Sequence, residues 1–279
     1  MPRFSVNQVT TKRWSLEEDA FNYATVGAQG IGLWRDKVSD FGVEKASALL
    51  TDFQLEASSF SYVGGFTGCQ GRWKDCVKDA IQAMANAQAL GARNVLLFSG
   101  SRNGHIRPQA VRCLLDAIEK LLPFAEEFGV RLLLQPMMER VSKRWNFLFD
   151  WDSLFKIIDR YPSHLVGYVL NTHHAMFLHE IWEQLPERIE QLGLVQISDG
   201  QHIASTGQQR NDCILGDGVM LPDQRLKAIL DAGYDGWIEV ESAGVAIYEA
   251  GYLNVLKANR RFLNAFHRAR LANVTSKSA

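Results

Sequence analysis

Residues 129–138 read GVRLLLQPMM: a glycine, a short apolar run, and a polar side chain where the run ends. A glycine directly after a helix adopts the left-handed conformation and ends the helix. A short apolar run behind it is typical of a parallel strand buried on both faces. The same order recurs where Gly30 precedes IGLW, Gly91 precedes ARNVLLF, Gly193 precedes LVQIS and Gly233 precedes YDGWIEV. The chain is therefore predicted to alternate helices with parallel strands.

Extending this pattern in both directions predicts eight strands, at 3–9, 30–34, 54–59, 94–98, 130–135, 166–171, 194–198 and 236–241. A helical pattern follows each strand; Ser15 and Glu18 fit a capping box that opens the first helix, and the last helix spans 252–272. Eight β/α units in about 250 residues favour a closed (β/α)8 TIM barrel of class α/β over an open sheet. No linker divides the chain, so we predict a single domain over 1–272 and a disordered tail at 273–279.

Composition excludes several classes of function. The formal net charge of -1, without a run of like charge, gives no support for binding nucleic acid. The first residues lack the apolar centre of a signal peptide, and no apolar run reaches the roughly 18 residues of a membrane span. The four cysteines fall in no metal-type spacing and are expected to be reduced thiols. A cytoplasmic protein without membrane contact is expected.

Polar side chains stand where four successive predicted strands end. In a barrel the carboxyl ends of the strands meet at one mouth, where ligand sites lie. These side chains therefore predict a polar pocket for a small molecule. They are Gln135, Asn171 with His173 and His174, Gln196, and Glu241.

Several segments resemble a known family, the xylose-isomerase-like TIM barrels of sugar phosphate isomerases and epimerases. They are GIGLWRDKV, LEASSFSYVGGFTG, VRLLLQPMM, GYVLNTHHAM, VQISDG, LGDGVMLP and AGYDGWIEVES, and they run in the family's order from Phe4 to about Phe266. The resemblance implies a divalent cation held by Glu on strand five, Asp on strand six, His or Gln on strand seven and Glu on strand eight. It also implies isomerisation, epimerisation or dehydration of sugars and cyclitols, in which the metal clamps two oxygens and carboxylates move a proton.

The match to this ligand set is incomplete. Gln135 stands where the family has Glu, and Asn171 stands where it has Asp, whereas Gln196 and Glu241 fit the pattern. One negative charge is a weak match for a divalent ion, because neutral amide oxygens are poorer ligands than carboxylates. We therefore expect no tightly bound cofactor, with a weakly held Mn or Mg ion left open. The alternative role of the two amides is to hydrogen-bond each other in a pocket without an ion.

The same substitutions bear on catalysis. An amide cannot abstract a proton, so Gln135 removes one of the two bases that the family uses for reversible epimerisation. Glu241 and His174 remain as the candidate acid/base pair, with Gln135 and Asn171 beside them in the catalytic set. Burial without a metal charge is expected to raise the pKa of Glu241. A carboxylate bonded to arginine or amide donors is the alternative.

Further candidates for substrate binding lie around the predicted mouth. Gln196 and His173 come from the strand ends, and Arg210 precedes the LGDGVM segment, which the resemblance makes a loop over the substrate. Trp34 and Phe66 could form apolar walls, with core packing as the alternative. The candidates are Gln196, His173, Arg210, Trp34, His105 and Phe66.

The leading hypothesis is an isomerase/epimerase-superfamily enzyme that acts on a small polyhydroxylated, keto or biosynthetic compound. Its chemistry would be metal-independent acid/base isomerisation, elimination (a lyase reaction) or cyclisation. One alternative is a non-catalytic barrel that binds a ligand or a partner protein, and another is a metal-dependent sugar isomerase with a weakened site. The family's endonuclease branch needs a cluster of metal ligands that these scattered histidines do not offer. Dimers or tetramers are common in the family, so by analogy a homo-oligomer remains open.

Overall fold

The structure, a computed structural model, describes residues 3–68, 71–139, 145–175, 179–203 and 208–277. Eight parallel strands close into a barrel in the order β1-β10-β7-β6-β5-β4-β3-β2, which confirms the predicted TIM barrel. Their bounds are β1 Arg3–Asn7, β2 Gly30–Trp34, β3 Glu56–Gly64, β4 Asn94–Phe98, β5 Arg131–Leu134, β6 Val166–Asn171, β7 Leu192–Ile197 and β10 Trp237–Val240. A two-stranded antiparallel sheet, β8 Asp199–Ile203 and β9 Gln208–Cys213, is inserted after β7.

Helices connect the strands, as the apolar periodicity predicts. The capping box is confirmed, because Ser15 accepts a hydrogen bond from the backbone of Glu18 and the Glu18 side chain accepts one from Ser15. Gly129 ends its helix in the left-handed conformation at φ 62°. The helices are α1 Leu16–Thr25, α2 Arg35–Phe41, α3 Val43–Asp52, α4 Trp73–Ala89, α5 Arg107–Phe128, α6 Trp151–Ile158, α7 His179–Gln184, α8 Pro222–Asp231, α9 Val245–Glu249 and α10 Tyr252–Lys277, with a 3-10 turn at Ile189–Gln191.

The structure differs from the predicted elements at several boundaries. Strand β3 begins and ends later than predicted, since its second half, SFSYVG, in which two serines interrupt the apolar residues, pairs with β4. Strands β5 and β10 stop one residue before Gln135 and Glu241, so both side chains stand at the rim. The sheet of β8 and β9 was not predicted, because its residues are mostly polar. Helix α10 extends past the predicted end at Ala272, and disorder of 273–279 stays a prediction, as does the single-domain boundary.

The core has two layers. Strand residues that point outward pack against the helices in one large cluster. Those that point inward form a smaller cluster inside the barrel, because side chains alternate along a strand. The inner cluster consists of Leu96, Leu133, Val169, Leu194 and Trp237, and the polar side chains of the site lie beyond it towards the carboxyl ends of the strands.

In the described part of the chain, no helix combines the length and hydropathy needed to span a bilayer. Cys76, Cys113 and Cys213 form no disulfide bond, and Cys69 lies outside the described residues. A cytoplasmic location stays a prediction.

Candidate active site at the barrel mouth

Three amide side chains meet at the carboxyl ends of β5, β6 and β7. The Oε1 atom of Gln196 accepts hydrogen bonds from Nε2 of Gln135 and from Nδ2 of Asn171, both at 3.0 Å. All three side chains are buried. The positions that the resemblance singled out are thus brought together, and they are joined by amide–amide hydrogen bonds.

Glu241 completes this group from the rim of β10. Its backbone N–H continues the pairing with β7 by donating to Ile197, and its Oε1 lies 3.4 Å from Nδ2 of Asn171. Burial, together with the negative charge of Glu239, raises the pKa of Glu241 to about 8, and the hydrogen bond from Asn171 opposes this rise only in part. Near neutral pH this carboxyl can both release and accept a proton.

The orientation of the Asn171 amide is set by the backbone. Its Oδ1 accepts the N–H groups of His173 at 3.1 Å and His174 at 3.4 Å, in the turn that follows β6. A backbone N–H can only donate, so the carbonyl oxygen of Asn171 must face the turn. The NH2 group therefore faces Gln196 and Glu241.

His173 and His174 lie in that turn. Adjacent residues of a strand would point to opposite faces of the sheet, but this does not apply to residues in a turn. Their rings contact each other with centroids 5.3 Å apart. Burial lowers the pKa of His174 to about 3 and that of His173 to about 4. The Nδ1 atom of His174 is 3.5 Å from the backbone N–H of Met138 and accepts from it, which places the ring proton on Nε2. The Nδ1 atom of His173 is buried and has no hydrogen-bond partner among the described residues.

Sequence reasoning missed Glu239, which lies beneath this group. It is fully buried and accepts hydrogen bonds from Gln196 at 3.0 Å and Asn7 at 2.7 Å. Two serines of β3 also donate to it. The available signal was the alternation in WIEVE, which puts Glu239 and Glu241 on the same side of the strand.

The donor set does not fit a divalent cation. Asn171 directs N–H groups into the site, and the Gln196 oxygen is occupied by two amide donors. Glu241 is the single carboxylate among the four family positions. Among the described residues, no group of three or more His, Cys, Asp or Glu side chains could hold a metal. Mg²⁺ and Mn²⁺ bind most tightly to anionic oxygen ligands, and of these four positions Glu241 alone supplies one.

The described contacts of three other predicted site residues are with groups outside the amide cluster. Phe66 is fully buried and packs in the helix-facing core. His105 makes its contact through Nε2 with the carbonyl of Thr67 at 3.2 Å, in the loop after β3. Trp34 is partly buried at the end of β2, under Lys12 at 5.3 Å from the ring centroid. In this structure Phe66 offers no surface to a ligand.

The LGDGVM segment is held in place by Asp199, the first residue of β8. Its carboxylate accepts the backbone N–H groups of Gly216 at 2.9 Å, Gly218 at 3.0 Å and Met220 at 3.0 Å. These three hydrogen bonds hold the segment as a turn against β8, which is a structural role. Arg210 lies in β9, where its backbone pairs with Gln201, and its side chain lies outside the described residues.

The comparisons with known proteins agree with the fold. A family model described as xylose isomerase-like TIM barrel matches residues 21–264, so the chain belongs to this family. No protein with a curated description matches the chain.

Solved structures of similar shape share little sequence with it. Protein SMc04130 from Sinorhizobium meliloti 1021 has a TM-score of 0.82 at 20% identity, over 92% of this chain and 96% of that one. L-ribulose 3-epimerase has a TM-score of 0.79 at 18% identity, over 100% and 99% of the two chains. The IOLI protein, solved with a bound zinc atom, has a TM-score of 0.79 at 14% identity, over 95% and 97%. At these identities the likeness establishes the fold alone.

Proposed function

We propose that this protein is an isomerase-like enzyme that moves a proton on a small keto or polyhydroxylated compound at the barrel mouth, without a metal ion. The observation that carries the proposal is the contact between Glu241 and Asn171, in which an amide NH2 stands beside a carboxyl with a raised pKa. The family membership and the epimerase among the structural neighbours support a reaction of this class.

Glu241 is the group that takes and returns the proton. Its carboxylate removes a proton from the carbon next to a carbonyl, and the electron pair of the broken C–H bond moves to the carbonyl oxygen. In a hydroxyketone the proton of the neighbouring hydroxyl then passes to this negative oxygen. Return of the first proton to the former carbonyl carbon forms the new C–H bond, leaves the carbonyl on the neighbouring carbon and completes an isomerisation. A carboxyl with a pKa of about 8 is a stronger base than an ordinary carboxylate and suits proton transfer near neutrality.

The negative oxygen formed in this step needs hydrogen-bond donors. Asn171 supplies the N–H that contacts Glu241 at 3.4 Å, while its other N–H stays on Gln196, and His174 supplies the proton on Nε2 as a neutral imidazole. A neutral donor is appropriate because the pKa of about 3 keeps His174 uncharged at every physiological pH. Such preorganised donors stabilise a developing oxyanion by several kcal/mol, roughly 3 for each in measured cases.

Epimerisation by two carboxylates on opposite faces of a carbon is disfavoured in this site. Gln135 occupies the position of the second base, and an amide has no proton-accepting role at neutral pH. A single carboxyl that serves one face of the substrate favours transfer between adjacent atoms, or elimination of a neighbouring hydroxyl.

The test begins with a thermal-shift screen of keto sugars, hydroxyketones and keto-cyclitols. Compounds that stabilise the protein are then followed by NMR in deuterated water for exchange of the proton next to the carbonyl. We expect Glu241→Gln to retain binding and to slow exchange about a hundredfold or more. Glu249→Gln, an exposed carboxylate of α9, should change neither.

Other outcomes would support other functions. Full exchange in Glu241→Gln would refute its role as the base. Exchange that disappears with a chelator and returns with Mn²⁺ would support a metal-dependent isomerase with a weakened site. Stabilisation by a ligand without any exchange or turnover would support a non-catalytic binding barrel.

A further inference from the structure

Glu239 is a buried carboxylate that the proposed reaction does not use. It lies in the middle of β10 and is fully inaccessible to solvent. Asn7 at 2.7 Å and Gln196 at 3.0 Å donate to its Oε1, while Ser58 at 2.7 Å and Ser59 at 2.8 Å donate to its Oε2. All four donors are uncharged, so the carboxylate is held by hydrogen bonds from three strands.

The barrel leaves room for this carboxylate at Gly32 of β2. A Cβ atom at position 32 would lie 2.4 Å from Oε2 and 2.6 Å from Cδ of Glu239. Any larger residue would displace the carboxylate from its donors. The Glu239 carboxylate thus fills the space beside Gly32 and accepts four hydrogen bonds there.

The hydrogen bonds of Glu239 set the direction of the amides above it. A carboxylate only accepts, so Gln196 must turn its Nε2 to Glu239 and its Oε1 away. The outward Oε1 in turn requires the NH2 groups of Gln135 and Asn171 to point towards it. One buried acceptor therefore orients three amides in sequence.

The orientation of the Gln135 amide depends on this series of hydrogen bonds more than that of Asn171 does. Asn171 is also held from its other side by the backbone N–H groups of the turn after β6. Among the described residues, Gln196 is the one hydrogen-bond partner of the Gln135 side chain, and the Oε1 atom of Gln135 is bonded to none of them. Glu239 therefore decides whether Gln135 offers a carbonyl oxygen or an NH2 group to a ligand.

We propose that Glu239 is a positioning residue: through Gln196 it fixes Gln135 and Asn171 so that the mouth offers one carbonyl acceptor beside one amide donor. Its importance for catalysis rests on the proposed function, but the orientation itself is a property of the protein without substrate.

The test compares Glu239→Gln with Glu239→Met by NMR of protein labelled with 15N at asparagine and glutamine. In Glu239→Gln the new amide keeps an oxygen towards Gln196, while its NH2 faces the two serine hydroxyls, which rotate to accept. Hydrogen exchange of the Gln196 and Gln135 side-chain NH2 groups should stay as slow as in the wild type. Glu239→Met removes the acceptor, and exchange at both should rise about tenfold or more.

Leu194→Ala is the matched control, because Leu194 is equally buried and lies two positions before Gln196 in the inner apolar cluster. It should lower stability and leave the two NH2 groups protected. Unchanged protection in Glu239→Met, or equal loss in Leu194→Ala, would overturn the proposal. If Glu239→Met does not fold, nuclear Overhauser contacts in Glu239→Gln decide, since an NH2 at position 239 facing Gln196 would contradict it.

These measurements need no substrate, so they can fail while Glu241→Gln still abolishes proton exchange. The converse result is equally distinguishable: protected amides with no detectable turnover would leave the positioning role intact and refute the enzyme.

Discussion

Each amide side chain can turn either its oxygen or its NH2 group to the pocket. This choice decides whether the barrel mouth accepts or donates hydrogen bonds. Asparagine and aspartate have nearly the same shape, yet Asn171 places an NH2 group where aspartate would place a second oxygen. Because the backbone already occupies Oδ1, the side chain cannot turn a carbonyl oxygen to the site without losing two hydrogen bonds. Position 171 therefore donates hydrogen bonds to the mouth.

We predict that two carboxylates at positions 135 and 171 would create a metal site. In Gln135→Glu/Asn171→Asp, oxygens at both positions would face Oε1 of Gln196, which Glu239 keeps in place. The mutual repulsion of these oxygens is relieved by a cation between them, with Glu241 as a further ligand. We expect Mn²⁺ affinity, measured by calorimetry and elemental analysis, to rise about a hundredfold or more over the wild type.

The control for added charge is Gln82→Glu/Asn86→Asp, an exposed and a partly buried amide on α4 that bond each other. It introduces the same two charges away from the mouth and should leave Mn²⁺ affinity unchanged. Equal affinity in the two double variants would show that amide orientation does not exclude the ion.

Among the elements, the insertion of β8 and β9 ends in a turn that depends on one side chain. Asp199 accepts four backbone N–H groups, from Gly200 and Met220 on Oδ1 and from Gly216 and Gly218 on Oδ2. A Cβ atom at Gly218 would lie 2.2 Å from Oδ1 of Asp199, so glycine is required there. The turn and the carboxylate fit together as one unit.

We predict that Asp199→Asn lowers the free energy of unfolding by roughly 2 kcal/mol, because an NH2 group replaces one oxygen and leaves two N–H donors unpaired. Denaturant unfolding gives the loss, and hydrogen exchange should speed up at Gly216 and Gly218. Asp217→Asn, an exposed residue of the same turn, is the control and should change neither quantity. A loss as large for Asp217→Asn would refute the role of Asp199.

The elements also show what could be predicted from the sequence. The short apolar strands that follow glycines were predictable, since a parallel strand that is buried on both faces requires a nearly continuous run of apolar residues. The end of β3 and the sheet of β8 and β9 were not, because serines interrupt the apolar residues in the first and the second is mostly polar. Glu239 was missed for a different reason: its partner Asn7 is 232 positions away, and only barrel closure brings β1 beside β10.

Across the whole molecule, the barrel interior changes from apolar to polar along its axis. Leu133, Val169 and Leu194 fill the inner cluster, and Glu239 and the amides follow towards the mouth. This gradient removes water from around Glu241 and the two histidines, which keeps the histidines uncharged near neutral pH and favours the protonated form of Glu241. The pH dependence of global stability should therefore report on the mouth.

The sign of each contribution follows from proton linkage. The pKa values of His173 and His174 are lowered from 6.5 to about 4 and about 3, so the unfolded chain binds protons that the folded protein refuses, and stability falls as pH drops below 6.5. The pKa of Glu241 is raised from 4.5 to about 8, so its folded form keeps a proton that the unfolded chain releases, and stability falls as pH rises from 4.5 to 8.

The variant Glu241→Gln tests this dependence, because glutamine resembles the protonated side chain. The substitution should leave the free energy of unfolding nearly unchanged at pH 5 and raise it by roughly 3 kcal/mol at pH 9. Denaturant unfolding at both pH values measures the difference, with Glu249→Gln as an exposed control. If the stability gained by Glu241→Gln does not grow with pH, Glu241 is ionised in the folded protein at neutral pH. The mouth would then carry a permanent negative charge, and Glu241 would not exchange its proton near neutrality.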